Sequence, residues 1–143
     1  MRTYVNGDFL NKLPAELRKV IIDTKVISGY GRTSGETNFT STDKIYLLSA
    51  HEVWENKVIY DGIELDTAYN QTRQLDYYKN LGVITSNNSN TIKRYKDLDS
   101  STWWLRTANY YFTNIFLGVS FPDGWAYIRA FDTNGFTPAF RIG

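Results

Sequence analysis

Apolar positions return along this chain in two rhythms. Phe9, Leu10, Leu13, Leu17, Val20 and Ile21 recur every three or four residues, the spacing of one helix face. Pro14 suits a first helical turn, so the pattern predicts either one amphipathic helix or two short ones meeting there. Residues 25–28 read as extended, and residues 29–42, polar and glycine-rich, as a loop. Residues 44–49 form a compact apolar run that predicts a buried strand. Ser49 followed by Glu52 has the spacing of a capping box, which predicts a short helix over residues 50–56. Residues 67–80 predict a further helix ending near Gly82, with Leu75 and Tyr78 among its apolar contacts. Residues 85–102, rich in Ser, Asn and Asp, predict an irregular connection.

From Trp103 the rhythm changes. Residues 103–107, 115–121 and 125–131 are β-prone runs, punctuated by turn signals at Pro122-Asp123-Gly124 and Asp132-Thr133-Asn134-Gly135. Residues 138–142 predict a last strand. Helices first and antiparallel strands later make an α+β domain, and 143 residues suit one domain over 1–143.

Charge changes this picture little. Sixteen basic residues against 15 acidic ones leave no global field to draw the chain to nucleic acid or anionic lipid. The run Lys93-Arg94-Tyr95-Lys96, followed at once by Asp97 and Asp99, reads as a solvated loop. The absence of cysteine excludes disulfides, thiolate metal sites and cysteine nucleophiles. Nothing reaches the length of a membrane-spanning helix, so no membrane insertion is expected. The first eight residues lack the apolar core of a signal peptide, and the chain is expected to be the C-terminal part of a longer protein.

Candidate chemistry is sparse. The single histidine, His51, lies within the predicted capped helix without an acidic or thiol partner at useful spacing, and reads as structural. Asp61, Glu64 and Asp66 lack the alternation of a calcium loop and read as a solvated turn. No phosphate-cradling loop and no nucleophile motif appears, so no catalytic residue, metal site or cofactor is assigned.

Composition is more telling. From Thr107 to Gly143 there is no Lys, Glu, Gln or Met, although these four types make up about 15% of the preceding chain. The same end of the chain carries Trp103, Trp104, Tyr110, Tyr111, Phe112, Phe116, Phe121, Trp125, Tyr127, Phe131, Phe136 and Phe140. Strand side chains alternate between faces, so one face cannot bury both Tyr110-Tyr111-Phe112 and Ala126-Tyr127-Ile128-Arg129. Some aromatic area must reach the surface, either as a binding face or as a packing contact with another subunit.

Several motifs carry a resemblance. Ser41-Thr42-Asp43-Lys44-Ile45-Tyr46-Leu47-Leu48-Ser49, then Trp103-Trp104-Leu105-Arg106, then Gly135-Phe136-Thr137-Pro138-Ala139-Phe140-Arg141-Ile142 resemble bacterial and phage domains. Those domains carry T-x-D-K-[IL]-[FY]-L-L-S, W-W-L-R-S and a closing G-V-[RA]-P-A-F. The opening Tyr4-Val5-Asn6-Gly7-Asp8-Phe9-Leu10-Asn11 is similar to their W-L-N-x-x-F-x-N start, so the resemblance spans nearly the whole chain. It implies a C-type-lectin-like fold of the formylglycine-generating-enzyme type, with N-terminal helices on a small, mainly antiparallel sheet and a long irregular loop region. Thr107, Phe136 and Thr137 depart from the pattern. The oxidase activity of the related enzyme branch depends on cysteine, which is absent, and the Glu-Pro-Asn and Trp-Asn-Asp triplets of calcium-dependent lectins are absent too.

Some members resemble the variable proteins of diversity-generating retroelements, in which template adenines are mutated and Asn codons become NNY. Such codons cannot encode Lys, Glu, Gln, Met or Trp, which matches the bias from Thr107 onward except at Trp125. The resemblance implies a non-enzymatic receptor- or ligand-binding domain whose segment 107–136 is hypervariable. Its variable ligand-binding residues would be Tyr110, Tyr111, Phe112, Ile115, Gly118, Ser120, Tyr127, Ile128, Arg129, Phe131 and Asp132. Trp103, Trp104, Leu105, Trp125, Pro138 and Phe140 would hold the scaffold, and Arg106 would tie it to a neighbouring acid or carbonyl. The expected partner is a protein or glycan ligand on a target surface, and the expected location extracellular, on a cell surface or virion. The alternative is a structural, adhesin or virion assembly module that packs through the aromatic patch.

Overall fold

A computed structural model describes residues 1–86, 89–94, 101–120 and 124–143. The helical start divides at Pro14. A run from Arg2 to Lys12, with a wider π-turn over Val5–Phe9, ends where Leu13 turns extended, as the residue before proline prefers. A second helix covers Ala15–Val20. Phe9, Leu10, Leu13 and Leu17 pack on Val5, Ile21 and Ile45, so most of the predicted apolar stripe is buried, shared by two helices, but Val20 is exposed and Ile21 lies past the second helix in extended backbone.

Twelve short strands follow among the described residues. β1 (Ile21–Ile22), β2 (Thr24–Ser28), β3 (Phe39–Asp43) and β4 (Tyr46–Leu47) come first, then the hairpin strands β5 (Ile59–Tyr60) and β6 (Ile63–Glu64). After a helical middle come β7 (Trp103–Ala108), β8 (Ile115–Ser120) and β9 (Gly124–Arg129). β10 (Gly135–Phe136), β11 (Pro138–Ala139) and β12 (Arg141–Ile142) follow. The main sheet has the order β10-β7-β8-β9, antiparallel except for the parallel β10–β7 pair. Four two-stranded antiparallel pairs surround it: β1–β12, β11–β4, β2–β3 and β5–β6. The molecule is thus an α+β domain of short helices and small, mainly antiparallel sheets.

Three expectations are corrected. β3 occupies the end of the predicted loop of residues 29–42 and runs on to Asp43, because pairing with β2 holds a Thr-rich segment that no apolar pattern marks. The run 44–49 forms a strand only at Tyr46–Leu47. The helix expected over 67–80 breaks into a 3₁₀ turn at Tyr69–Gln71 and an α-helix at Asp76–Asn80, separated by extended Thr72 and Leu75. Gly82, at φ +65°, follows that last helix where a left-handed residue ends it. The capped helix is present over Ala50–Val53, with both halves of the box made between Ser49 and Glu52. The turn signal at Pro122-Asp123-Gly124 falls mostly outside the described residues, as do Tyr95 and Lys96 of the basic run.

The core gathers Trp54, Leu65, Tyr78, Trp103, Leu105, Leu117 and Val119 between the main sheet and the helical middle. One guanidinium fastens several elements around it. Arg106 pairs with Glu52, donating from Nη2 at 3.0 Å, and also donates to the carbonyls of Ile27 and Leu47. This is the acid-and-carbonyl tie expected of Arg106. β7 bulges between Trp104 and Ala108, and the Arg106 N–H turns from β8 to the carbonyl of Leu48.

A candidate aromatic binding face

Directly opposed residues of an antiparallel pair share a face. Leu117 and Val119 of β8 therefore lie with Tyr127 and Trp125 of β9 on the side that meets the core. That core thins toward the end of the strand, and the aromatics there come into the open. Tyr127 is 36% exposed and Phe112 54%. Tyr60, on β5, stands over them at 51% exposure, with its ring edge-on to Tyr111, Trp125 and Tyr127 at 6.0, 6.3 and 6.0 Å. Tyr110 joins edge-on to Tyr111 at 5.6 Å and receives the Arg32 guanidinium over its ring. Edge-to-face contacts of this kind hold the rings in one arrangement.

Two local devices set the face. Asn109, itself buried, accepts the N–H groups of Tyr111 and Phe112 on its side-chain oxygen at 2.6 and 3.1 Å, folding the Tyr-Tyr-Phe run into an Asx turn. The β5–β6 hairpin turns through Asp61 and Gly62, both at positive φ, and the Tyr111 hydroxyl donates to the Tyr60 carbonyl at 3.2 Å. Partial burial raises the Tyr127 phenol above its ordinary pKa; Asn109 opposes the rise and Tyr60 and Tyr111 add to it. Burial also raises the Tyr111 phenol, with the Asp61 carboxylate the next cause. Both hydroxyls therefore stay protonated, as donors, throughout the neutral range.

The predicted residues fall into three places. Tyr110, Tyr111, Phe112 and Tyr127 come together on the face just described. Arg129, Phe131 and Asp132 form a turn beyond it: Arg129 places its guanidinium 5.8 Å from the Phe131 ring centre, and Asp132 accepts the Arg129 N–H at 2.9 Å. Ile115, opposite Arg129, is half-buried between the two. Gly118, Ser120 and Ile128 lie on the other side of the sheet. Ile128 is buried with its side chain over Gly118, and Ser120 sits 3.2 Å from Thr102 Oγ1. Tyr60 was missing from the predicted set. Its signal was the Asp61-Gly62 dipeptide flanked by Ile59-Tyr60 and Ile63-Glu64, which marks a hairpin more strongly than an acidic turn.

His51, Glu64 and Asp66 have partners outside this cluster. His51 stacks on Tyr69 at 3.8 Å, with Nδ1 3.3 Å from Thr72 Oγ1. The acidic trio does not form one solvated turn. Glu64 pairs with Lys57, while Asp66 is buried, accepting from the N–H groups of His51 and Ala68 and from the Thr107 hydroxyl. Among the described residues no three His, Asp or Glu side chains converge to hold a metal, and no helix is long and apolar enough to cross a membrane.

Fold and face together define an α+β domain that presents a braced aromatic cluster at one end of its main sheet. The chain belongs to the DUF6273 family, described as a domain of unknown function, which matches residues 1–143. No match was found among curated proteins or among solved structures.

Proposed function

We propose that this chain is a non-enzymatic ligand-binding domain of C-type-lectin-like type. Its contact face is the cluster of Tyr60, Tyr110, Tyr111, Phe112 and Tyr127, extended by Arg129 and Phe131. The observation that carries the reading is the exposure of Tyr60, Phe112 and Tyr127 beside the half-buried, edge-packed Tyr110 and Tyr111, since Tyr and Phe give large contact area at low entropic cost. In this reading the segment 107–136 is diversified by a retroelement, in keeping with the missing Lys, Glu, Gln and Met. The buried pair Gly118 and Ile128 then shapes the strands beneath the face, while the exposed residues touch the ligand. The ligand is a protein or glycan on a target surface, and the location extracellular.

The gene tests the diversification. Codons for Ile115, Gly118, Ser120, Ile128 and Arg129 should end in C or T, with a near-copy carrying adenines at these sites beside a reverse-transcriptase gene. Purine third bases there count against it. The binding claim is tested on an array of immobilised glycans and extracellular protein domains. Arg129→Ala should lose the captured ligand while keeping stability within about 0.5 kcal/mol, as exposed sites do, and Tyr127→Ala should lose it for about 1–2 kcal/mol of stability, the cost of a half-buried ring. Equal losses of binding and stability would return the rings to a packing role.

An assembly module is the second reading, and one feature favours it on a surface other than the aromatic patch. A cleft of about 880 Å³ opens on the other side of the sheet, lined by Val26, Phe39, Ile45, Trp104 and Phe116. An apolar recess of that size suits a neighbouring subunit. Concentration-independent monomer mass in sedimentation would exclude self-assembly through it.

A further inference from the structure

Among the described residues β9 is the outer strand of the main sheet, bonded on one side only. The parity of the ladder fixes which of its backbone groups stay open. Ala130 N–H donates to the Asn114 carbonyl at 2.8 Å, and the register places Ile128 opposite Phe116 and Ala126 opposite Gly118. Hydrogen-bonded pairs alternate in such a ladder, so Gly124, Ala126 and Ile128 direct their N–H and C=O groups at β8. Trp125, Tyr127 and Arg129 direct theirs outward.

Arg129 is already engaged. Its N–H donates to the Asp132 carboxylate, and its carbonyl accepts the Asp132 N–H at 2.8 Å. The outward groups of Trp125 and Tyr127 meet no partner among the described residues. A free edge of this kind is a template for another strand, and here Asp132 blunts one end of it and leaves the rest open. Beside the open stretch stand the Trp125, Tyr127 and Tyr60 rings. Just beyond lies the Arg129 guanidinium, which contacts the Phe131 ring and has no carboxylate partner among the described residues.

We propose that β9 is a strand-addition site for an extended polypeptide segment of a partner protein. The segment bonds the outward groups of Trp125 and Tyr127 and sets an apolar side chain against the Tyr127 and Tyr60 rings. Two residues further on, on the same face, it places a carboxylate beside Arg129. This rests on the binding-face reading and narrows it. Alternating donors and acceptors at strand spacing complement a polypeptide main chain, and the uncovered cation supplies the charge complementarity. Main-chain bonds also hold whatever side chains occupy positions 127 and 129, so a face that varies would keep a constant grip.

The probe is a phage-displayed library of random linear peptides panned on the whole chain, followed by synthetic copies of the peptides selected. Those peptides should carry an acidic residue two positions from an apolar one. On binding them, amide exchange at Trp125 and Tyr127 should slow by at least about tenfold, a loss comparable to one hydrogen bond. N-methylating the peptide residues that face β9 should weaken binding about tenfold each, and N-methylating the intervening residue should not. Tyr127→Pro removes an outward N–H and no β8 bond, so it should bind about tenfold more weakly than Tyr127→Ala, which loses the ring alone. The N-methyl series uses the unaltered chain, so it decides the matter even if Tyr127→Pro fails to fold. Three results overturn the proposal: no peptide selected, selected peptides that leave exchange at those amides unchanged, or concentration-dependent protection of the same amides without peptide. If strand addition fails while Tyr127→Ala still abolishes array binding, the binding face stands alone. If no array ligand depends on Tyr127 or Arg129, both readings fall.

Discussion

At the scale of single residues, Asp66 shows how much one carboxylate can hold. It is 1% exposed and accepts from His51 N–H at 3.2 Å, Ala68 N–H at 3.1 Å and the Thr107 hydroxyl at 3.2 Å; that hydroxyl in turn accepts Ala50 N–H at 2.9 Å. Removing the carboxylate with Asp66→Ala strands three donors and should cost about 3 kcal/mol, read from urea unfolding at neutral pH. Burial is the main cause raising the Asp66 pKa above its ordinary value, against the lowering effect of those hydrogen bonds and of Arg106. A raised carboxyl holds its proton better folded than unfolded, so the contribution is complete below the ordinary value and lost as pH rises through the folded one. Asp66→Asn, which cannot ionise, should lack that fall when both proteins are unfolded across mildly acidic pH. Sequence reading grouped Asp66 with Asp61 and Glu64 because all three are close neighbours in a polar stretch. What separates them is the inward turn after buried Leu65, which only the packed helix and β7 create. Arg106 was legible because it directly follows the Trp-Trp-Leu run, so its charge had to be met close to the core.

Elements were legible wherever a local rule was strong. Ser49 and Glu52 make the capping box their spacing promised, and Ser49→Ala should cost about 1 kcal/mol, measured by thermal unfolding. The strands β7, β8 and β9 follow their β-branched and aromatic runs. β3 was not legible, because Thr40, Ser41 and Thr42 carry no apolar alternation and owe their strand to β2. The helix over 67–80 failed for a similar reason: Gln74 faces inward, its amide donating to the carbonyls of Val53 and Val83, and holds that stretch out of helical geometry. The face itself was half-legible: alternation along one strand already sets Ile128 against Tyr127, but the register that turns Gly118 away from Tyr127 and the hairpin that brings up Tyr60 are set only by packing between strands. A Cβ at Gly118 would lie 1.9 Å from Ile128 Cδ1 and 2.8 Å from the Trp103 carbonyl. Gly118→Ala should therefore destabilise by about 1–3 kcal/mol, and Ile128→Ala in the same chain should recover part of that loss. Simple additivity of the two substitutions in chemical denaturation would mean that the two residues do not share the space.

For the whole molecule, the alkaline limit is set inside the core. Burial raises the Tyr78 phenol to about 12, with Tyr77 beside it a smaller cause. Folded Tyr78 keeps its proton after the unfolded chain has lost it, so this contribution is complete below the ordinary tyrosine value near 10 and falls away as pH rises toward about 12. The melting temperature should decline through that window, and Tyr78→Phe should flatten the decline while calorimetry follows both proteins.

The strands that end the chain are tied to its beginning: β12 to β1, β11 to β4, and Gly143 N–H to the Val20 carbonyl. This has a consequence for the chain during its synthesis. A ribosome delivers β1 and β4 first and their partners last, so the emerging polypeptide carries both strands open until residues 135–143 clear the exit tunnel. Contacts so remote in sequence close slowly, since the intervening loop must be ordered before they form. Nascent chains stalled with residues 135–143 still in the exit tunnel should be cut readily by a protease, and those stalled once Gly143 has emerged should resist it. The domain acquires its fold in one late step.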